Sequence, residues 1–250
     1  MKTVLITGCS SGFGLETAKY FLERGWKVIA TMRTPREDVL PRSENLRILA
    51  LDVSKEDSIR KAIAEAGPID ALVNNAGIGM LSPLEGTSLE SIREVFDTNT
   101  IGTIAMTQAV LPQFRERKSG VIVNVTSTVT VKSLPLLAVY TASKAAINAF
   151  TESVALELAP FNVRARLVLP GLAPQTSFAA NAKERMGTGP AAYNDLVQQV
   201  MAGFANITGP ITHANDVAEQ IWKVVTEPSA PMRNPAGEDA VMWAKETKFI

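Results

Sequence analysis

Short apolar runs rich in β-branched residues alternate along the chain with stretches of helical periodicity. The runs are Val4-Leu5-Ile6, Lys27–Met32, Arg47–Leu51, Ala71–Asn74, Val121–Ser127 and Val163–Leu169. Half-exposed strands alternate apolar and polar positions, so these mostly uninterrupted runs predict strands covered on both faces. Between them, Leu15–Arg24, Lys55–Ala66, Ser88–Arg117, Val139–Ala159 and Asn215–Thr226 carry helical spacing. The βαβα order predicts an α/β, doubly wound architecture, a single domain over 1–250 with a central parallel sheet of about seven strands flanked by helices. No internal repeat, linker or low-complexity stretch interrupts it. Gly and Pro break the rhythm between Pro170 and Phe204, which predicts a substrate-binding flap at about 172–204, where such sheets bind ligands.

The first strand runs into Thr7-Gly8-Cys9-Ser10-Ser11-Gly12-Phe13-Gly14. Glycines there permit a sharp turn, a close backbone approach to a pyrophosphate and tight packing of the following helix, whose N-terminus favours an anion. This is the start of a Rossmann fold, with G-x-x-x-G-x-G spacing in place of G-x-G-x-x-G. Gly8-Cys9-Ser10-Ser11-Gly12 also satisfies G-x-S-x-G, the nucleophile elbow of serine hydrolases, with His213 as the available base. Against that reading, an elbow on the first strand leaves no earlier strand–helix loop to complete an oxyanion hole. The simpler role of His213 is to lead into a helix capped by Asn215.

An acid at the end of the second strand would accept from an adenosine ribose and select NAD. The strand instead ends Thr31-Met32-Arg33-Thr34. Arg33 can pair with a 2′-phosphate, so NADP(H) is expected over NAD(H).

The passage richest in chemistry is Tyr140-Thr141-Ala142-Ser143-Lys144, with Ser127 lying 13 residues before Tyr140. Residues i and i+4 share a helix face, so Tyr140 and Lys144 project together. A phenol with a pKa of about 10 is a poor base near neutrality. An adjacent ammonium favours its phenolate. Tyr140 can then give a proton to a carbonyl oxygen or take one from an alcohol, with Ser127 hydrogen-bonded to the same oxygen. Composition agrees: one histidine and one cysteine, Cys9, exclude a Cys/His zinc site and an intrachain disulfide, so no metal is expected. The 25 basic residues balance the 25 acidic ones, which gives no reason to expect nucleic acid or an anionic membrane as partner. The apolar run at the N-terminus is shorter than a signal-peptide core and no stretch is long enough to span a bilayer, so a cytoplasmic location is expected.

These motifs, together with Asp52-Val53, Asn74-Asn75-Ala76-Gly77, Asn99 and Pro170-Gly171, occur in one register along essentially the whole chain. In that order and spacing the sequence resembles the classical short-chain dehydrogenase/reductase family. The resemblance implies that Asn99, Ser127, Tyr140 and Lys144 are catalytic, Asn99 holding a water in a proton relay from Lys144. It implies that the glycine loop (Gly8, Ser10, Ser11, Gly12, Phe13, Gly14) and Arg33 bind the nucleotide, with Asp52 and Val53 at the adenine. Asn75, Ala76 and Gly77 would meet the cofactor's central portion, Tyr140 and Lys144 its nicotinamide ribose, and Pro170 and Gly171 its nicotinamide. Asn99 has a plainer reading as the partner of a helix kink.

The substrate wall is expected to be apolar, built from Leu137 and its neighbours Leu134 and Leu136, and from Phe178, Met186, Tyr193, Met201 and Phe204 in the flap. Ser127 and Tyr140 would meet the reacting oxygen. This predicts reduction of a ketone or aldehyde on a bulky, mainly apolar small-molecule substrate, or oxidation of the matching alcohol. A non-catalytic NADP-binding sensor on the same fold is the alternative. Pro174 alters the usual Pro-Gly-spacer-Thr passage and weakens the case for Thr176 as a carboxamide ligand. The C-terminal stretch lacks the Asp-Gly-Gly ending of many tetrameric members and is similar to the carbonyl reductase and steroid- and retinol-dehydrogenase-like branch. A homodimer is expected, packed through the helices over 88–117 and 139–159, with a homotetramer as the alternative.

Overall fold

A computed structural model describes residues 1–176, 182, 185–187 and 189–247. Seven strands form one parallel sheet: β1 (Thr3–Thr7), β2 (Lys27–Met32), β3 (Leu46–Ala50), β4 (Ala71–Asn74), β5 (Gly120–Val125), β6 (Val163–Pro170) and β7 (Arg233–Ala236), in the order β3-β2-β1-β4-β5-β6-β7. The helices are α1 (Gly12–Glu23), α2 (Glu56–Ala66), α3 (Leu89–Phe96), α4 (Gly102–Arg117), α5 (Ala138–Leu158), α6 (Asn194–Ala205), α7 (Ala214–Thr226) and α8 (Glu238–Glu246).

Side chains on a strand alternate between faces, and both faces here are apolar. Val4, Ile6, Val28 and Ala30 pack with Phe21 of α1 and Val217, Ile221 and Val224 of α7. Leu5, Ile29 and Leu72 turn the other way, onto Ile59 of α2, Met106, Val110 and Phe114 of α4, and Val154 of α5. Strand order reverses between β1 and β4, and the carboxyl ends flanking that reversal form the crevice where such sheets take ligands.

Three elements differ from the sequence expectation. The stretch 88–117 is two helices, because a five-residue π-helical turn, Asp97–Ile101, inserts between α3 and α4. The N-cap of α7 is His213, not Asn215: the His213 backbone N–H donates to Asp216 Oδ2 at 2.9 Å. The seventh strand carries Pro235, which is tolerated because β7 is an edge strand.

Candidate active site

The glycine loop is built by contacts that admit no side chain. Gly8 has φ +75, and a Cβ on Gly14 would lie 2.3 Å from Gly8 O and 2.5 Å from Asn75 Nδ2. Asn75 Nδ2 donates to Thr7 O at 2.9 Å and Gly8 O at 3.2 Å, and Thr7 Oγ1 accepts from the Asn75 and Ala76 N–H groups at 3.0 and 2.9 Å. The ends of β1 and β4 are thereby tied together beneath the loop. Sequence patterning singles out neither Thr7 nor the tying role of Asn75. Cys9 points into the core with its thiol pushed up to about 12 by burial.

Above the loop, a cleft of about 1110 Å³ runs along the carboxyl ends of the strands. A pocket for one small ligand is about 300–1,000 Å³, so this cleft has room for a dinucleotide and a substrate together. Of the residues expected to hold a cofactor, Gly8, Ser10, Ser11, Gly12, Phe13, Arg33, Asp52, Val53, Asn75, Ala76, Gly77, Pro170 and Gly171 line it. Gly14 lies beneath, where it lets α1 approach. Arg33 is exposed at the end of β2. Burial pulls the Asp52 carboxyl up, but hydrogen bonds from the Ser54 side chain and backbone, with the nearby charges of Arg33 and Lys55, hold it below its ordinary value. The residues present fit a dinucleotide: a bare backbone cradle, with a cation beside it at the end of β2.

The Ser127, Tyr140 and Lys144 side chains are buried below the cleft surface. Ser127 lies two residues beyond β5, where its Oγ accepts from Val129 N–H at 3.3 Å. Leu136 precedes α5 with φ +63, a left-handed conformation that disfavours side chains, and its carbonyl accepts from Ser82 N–H at 2.9 Å. That bend starts the helix so that Tyr140 meets Ser127, with which its hydroxyl is hydrogen-bonded. Lys144 follows one turn on, its Nζ donating to Val125 O at 3.0 Å.

Burial sets the protonation states. It pushes the Tyr140 phenol above its ordinary range, and the hydrogen bond with Ser127 only partly opposes this. It brings the Lys144 ammonium down to about 8. Desolvation thus moves the Tyr140 phenol in the direction opposite to the phenolate expected beside Lys144, whose Nζ lies 6.0 Å from the ring centroid. Between about 8 and its ordinary 10.5, Lys144 is neutral when folded and protonated when unfolded, so stability rises with pH across that window. From pH 7 to pH 9 the gain is on the order of 1 kcal/mol. Cys9 opposes it, since its thiol ionises sooner in the unfolded chain. Urea unfolding of wild type and Lys144→Met at both pH values cancels the Cys9 contribution. Wild type should gain on the order of 1 kcal/mol more than the variant. Equal gains would show that Lys144 titrates normally in the folded chain.

Asn99, in the π-turn, is 1% exposed. Its Oδ1 accepts from Ile78 N–H at 2.8 Å, and its Nδ2 donates to Ile78 O at 3.0 Å and Ser143 Oγ at 3.1 Å. The side chain thus bridges the loop after β4 to α5 and does not serve the kinked helix's own backbone. A Cβ on Gly77 would lie 3.2 Å from Asn99 Oδ1 and 3.3 Å from Lys144 Nζ, so Gly77 is the floor between the two. Ser143 donates to Tyr140 O at 2.7 Å and is wholly buried.

The apolar end of the cleft is lined by Leu81, Val129, Leu134, Leu137, Met201 and Phe204. Three expected wall residues are elsewhere, the first being Leu136, which is buried at the bend before α5. Met186 packs behind, on the cluster containing Leu137 and Tyr140, and Tyr193 hydrogen-bonds Glu85. Phe178 lies outside the described residues. Trp243 of α8 joins the cleft with no warning in the sequence pattern. Thr176 also lines it, but its hydroxyl donates to Ala173 O at 2.8 Å within the turn that contains Pro174. His213 is exposed, with Nδ1 3.4 Å from Gln175 Oε1, and is absent from the cleft that holds Ser10. The serine-hydrolase reading has no base there.

Residues 2–187 match the family model described as short chain dehydrogenase. Retinol dehydrogenase 8 of Bos taurus is 35% identical over 255 residues, covering 93% of this chain and 80% of that protein. A closed form of serine dehydrogenase complexed with NADP+ superposes with a TM-score of 0.82 at 30% identity, covering 95% of each chain. The 3-ketoacyl-(acyl-carrier-protein) reductase of Brucella melitensis complexed with NADH superposes with a TM-score of 0.77 at 26% identity, covering 94% of this chain and 96% of that one.

Proposed function

The chain belongs to the classical short-chain dehydrogenase/reductase family, in its retinol-dehydrogenase-like branch, and we propose that it is an NADPH-dependent reductase of ketones or aldehydes on mainly apolar molecules. The observation that carries this reading is the buried Ser127–Tyr140 hydrogen bond, with Lys144 one turn away, at the apolar end of a cleft whose other end is a glycine cradle. A nicotinamide, when bound, supplies the hydride. Gly8, Ser10–Gly12 and Arg33 hold its nucleotide, Asp52 and Val53 meet the adenine, and Asn75–Gly77 with Pro170 and Gly171 flank the remainder. Ser127 donates to the substrate carbonyl oxygen and orients it. Tyr140 gives that oxygen its phenolic proton, and Lys144 and Asn99 stand on the route by which the proton is replaced. Water is kept out by Leu134 and Leu137 and by Met201 and Phe204 of the substrate flap.

A buried phenol that keeps its proton suits reduction better than oxidation at neutral pH. The small exposed residues Ala142, Ala145 and Ala149 on α5, with Leu156 exposed on the same helix and Ile101 exposed at the end of the π-turn before α4, support a homodimer through these helices. Among the described residues no helix is long and apolar enough to cross a membrane, and the balanced charge supports a cytoplasmic reading.

Oxidation of NADPH followed at 340 nm with a ketone panel tests the activity. Bulky aryl and alkyl ketones should be turned over at least about tenfold faster in kcat/KM than small charged keto acids, since each buried methylene adds about 0.8 kcal/mol. Equal turnover of both classes would remove the apolar preference. Nucleotide binding without turnover of any ketone would favour the non-catalytic sensor.

A further inference from the structure

Asp239 lies beyond the stretch matched by the family model, which ends at residue 187, and is none of the groups given a role above. It stands in the first turn of α8 with 1% exposure. A buried carboxylate needs polar partners, and its partners belong to the cofactor side of the cleft. Asp239 Oδ2 accepts from the Leu172 N–H at 2.6 Å, and Oδ1 accepts from the Thr212 hydroxyl at 2.6 Å. The Thr212 oxygen in turn accepts from the Gly171 N–H at 3.0 Å, and the Thr212 backbone N–H donates to Leu172 O at 2.7 Å. The two amides and the Leu172 carbonyl of this short loop are thus held by one aspartate and one threonine from the C-terminal third of the chain, with the Ala236 carbonyl a longer second acceptor for Gly171 N–H at 3.4 Å.

The fit leaves no slack. A Cβ on Gly171 would lie 2.1 Å from Asp239 Oδ2, and a Cβ on Gly237, at φ +104, would lie 2.0 Å from Thr212 Oγ1. Gly171 is therefore a glycine because of what lies behind it in the protein, whatever lies in front. One turn further along α8, Trp243 lines the same cleft, with Lys132 Nζ 4.8 Å from its ring centroid.

We infer that Asp239 is a positioning residue: through its own bond to Leu172 and through Thr212 it fixes Pro170–Leu172, so that the C-terminal helix sets how tightly the nucleotide is held. The inference rests on the reading of the cleft as a dinucleotide site, and its test separates the two. Amide hydrogen exchange at Gly171 and Leu172 reads the tether without nucleotide. Equilibrium NADPH binding and steady-state kinetics read its consequence.

Asp239→Ala should speed exchange at both amides at least about tenfold and raise the Kd and KM for NADPH about tenfold, with a smaller change in kcat. Asp239→Asn should stay within about twofold of wild type, because its amide oxygen can accept from Leu172 while its NH₂ meets Thr212, whose proton turns to Ala236 O at 3.0 Å. Thr212→Ala, which removes the nearer acceptor of Gly171 N–H and leaves only Ala236 O at 3.4 Å, should follow Asp239→Ala and serves if that variant does not fold. Wild-type exchange in the two alanine variants would overturn the tether. Faster exchange with unchanged NADPH Kd and KM, whatever the melting temperature, would reduce Asp239 to a structural residue and overturn the inference while leaving the cleft reading intact. A wild-type protein that binds no NADPH would overturn both.

Discussion

Tyr140→Phe should reduce kcat for ketone reduction by about 10²–10⁴-fold, the range for a positioned general acid, while NADPH affinity changes less than about twofold. The substitution removes one oxygen from a side chain that is 6% exposed and leaves the ring in place. Ser127 keeps its bond from Val129 N–H, and Lys144 keeps its bond to Val125 O, so neither partner is set adrift. What disappears is the only proton on the cleft side of α5 that a carbonyl oxygen could take from a neutral acid. A fall in kcat with unchanged KM for NADPH identifies a group used in the transition state. Activity within tenfold of wild type would mean that water or Lys144 supplies the proton, and the proposed role of Tyr140 would be lost. The pH dependence adds a second check. Because burial holds the phenol protonated beyond its ordinary range, alcohol oxidation, which needs phenolate, should climb with alkaline pH. Reduction should show no such climb.

How much of this was legible in the sequence depends on where the physical cause of each feature lies. Lys27–Met32 and Ala71–Asn74 are strands over the same residues the pattern predicts, because burial on both faces demands local runs of apolar, β-branched residues. The Tyr140/Lys144 pair is likewise a local matter of helix geometry. The break at Asp97–Ile101 is not. Between Ser88 and Arg117 the sequence offers only Asn99 as the partner of a helix kink, and that residue is fixed instead by a backbone group 21 residues earlier in the chain. Arg233–Ala236 has no strand pattern at all; it pairs because β6 offers an edge. Asp239 reads in sequence as an ordinary acid favoured near a helix N-terminus. Its burial is decided by the approach of Gly171, and only the folded chain brings the two together. Tyr193 is the converse case: an aromatic residue in the right segment that turns away to Glu85.

Arg33→Asp should lower the NADPH-to-NADH ratio of kcat/KM by about 10²-fold or more. A hydrogen bond to a charged group contributes about 1.5–3 kcal/mol, and about 1.4 kcal/mol corresponds to tenfold. Removing the guanidinium therefore accounts for roughly 10–10² of the effect. The rest comes from repulsion, which is sharpened by position. Arg33 lines the same end of the cleft as Asp52, whose carboxyl is held below its ordinary value despite its burial and is ionised at neutral pH. The introduced carboxylate would leave that end with two negative charges and no arginine facing a 2′-phosphate. Toward NADH the same carboxylate can accept from the ribose hydroxyl, so NADH activity should hold or rise while NADPH activity falls. The chemistry at Tyr140 is untouched, and kcat with saturating NADH should match wild type within about threefold. An unchanged ratio would place the phosphate-recognising charge on another residue. A fall with both nucleotides would instead mark Arg33 as a part of the adenine end that both cofactors share, and the preference for NADP(H) would then need a different origin.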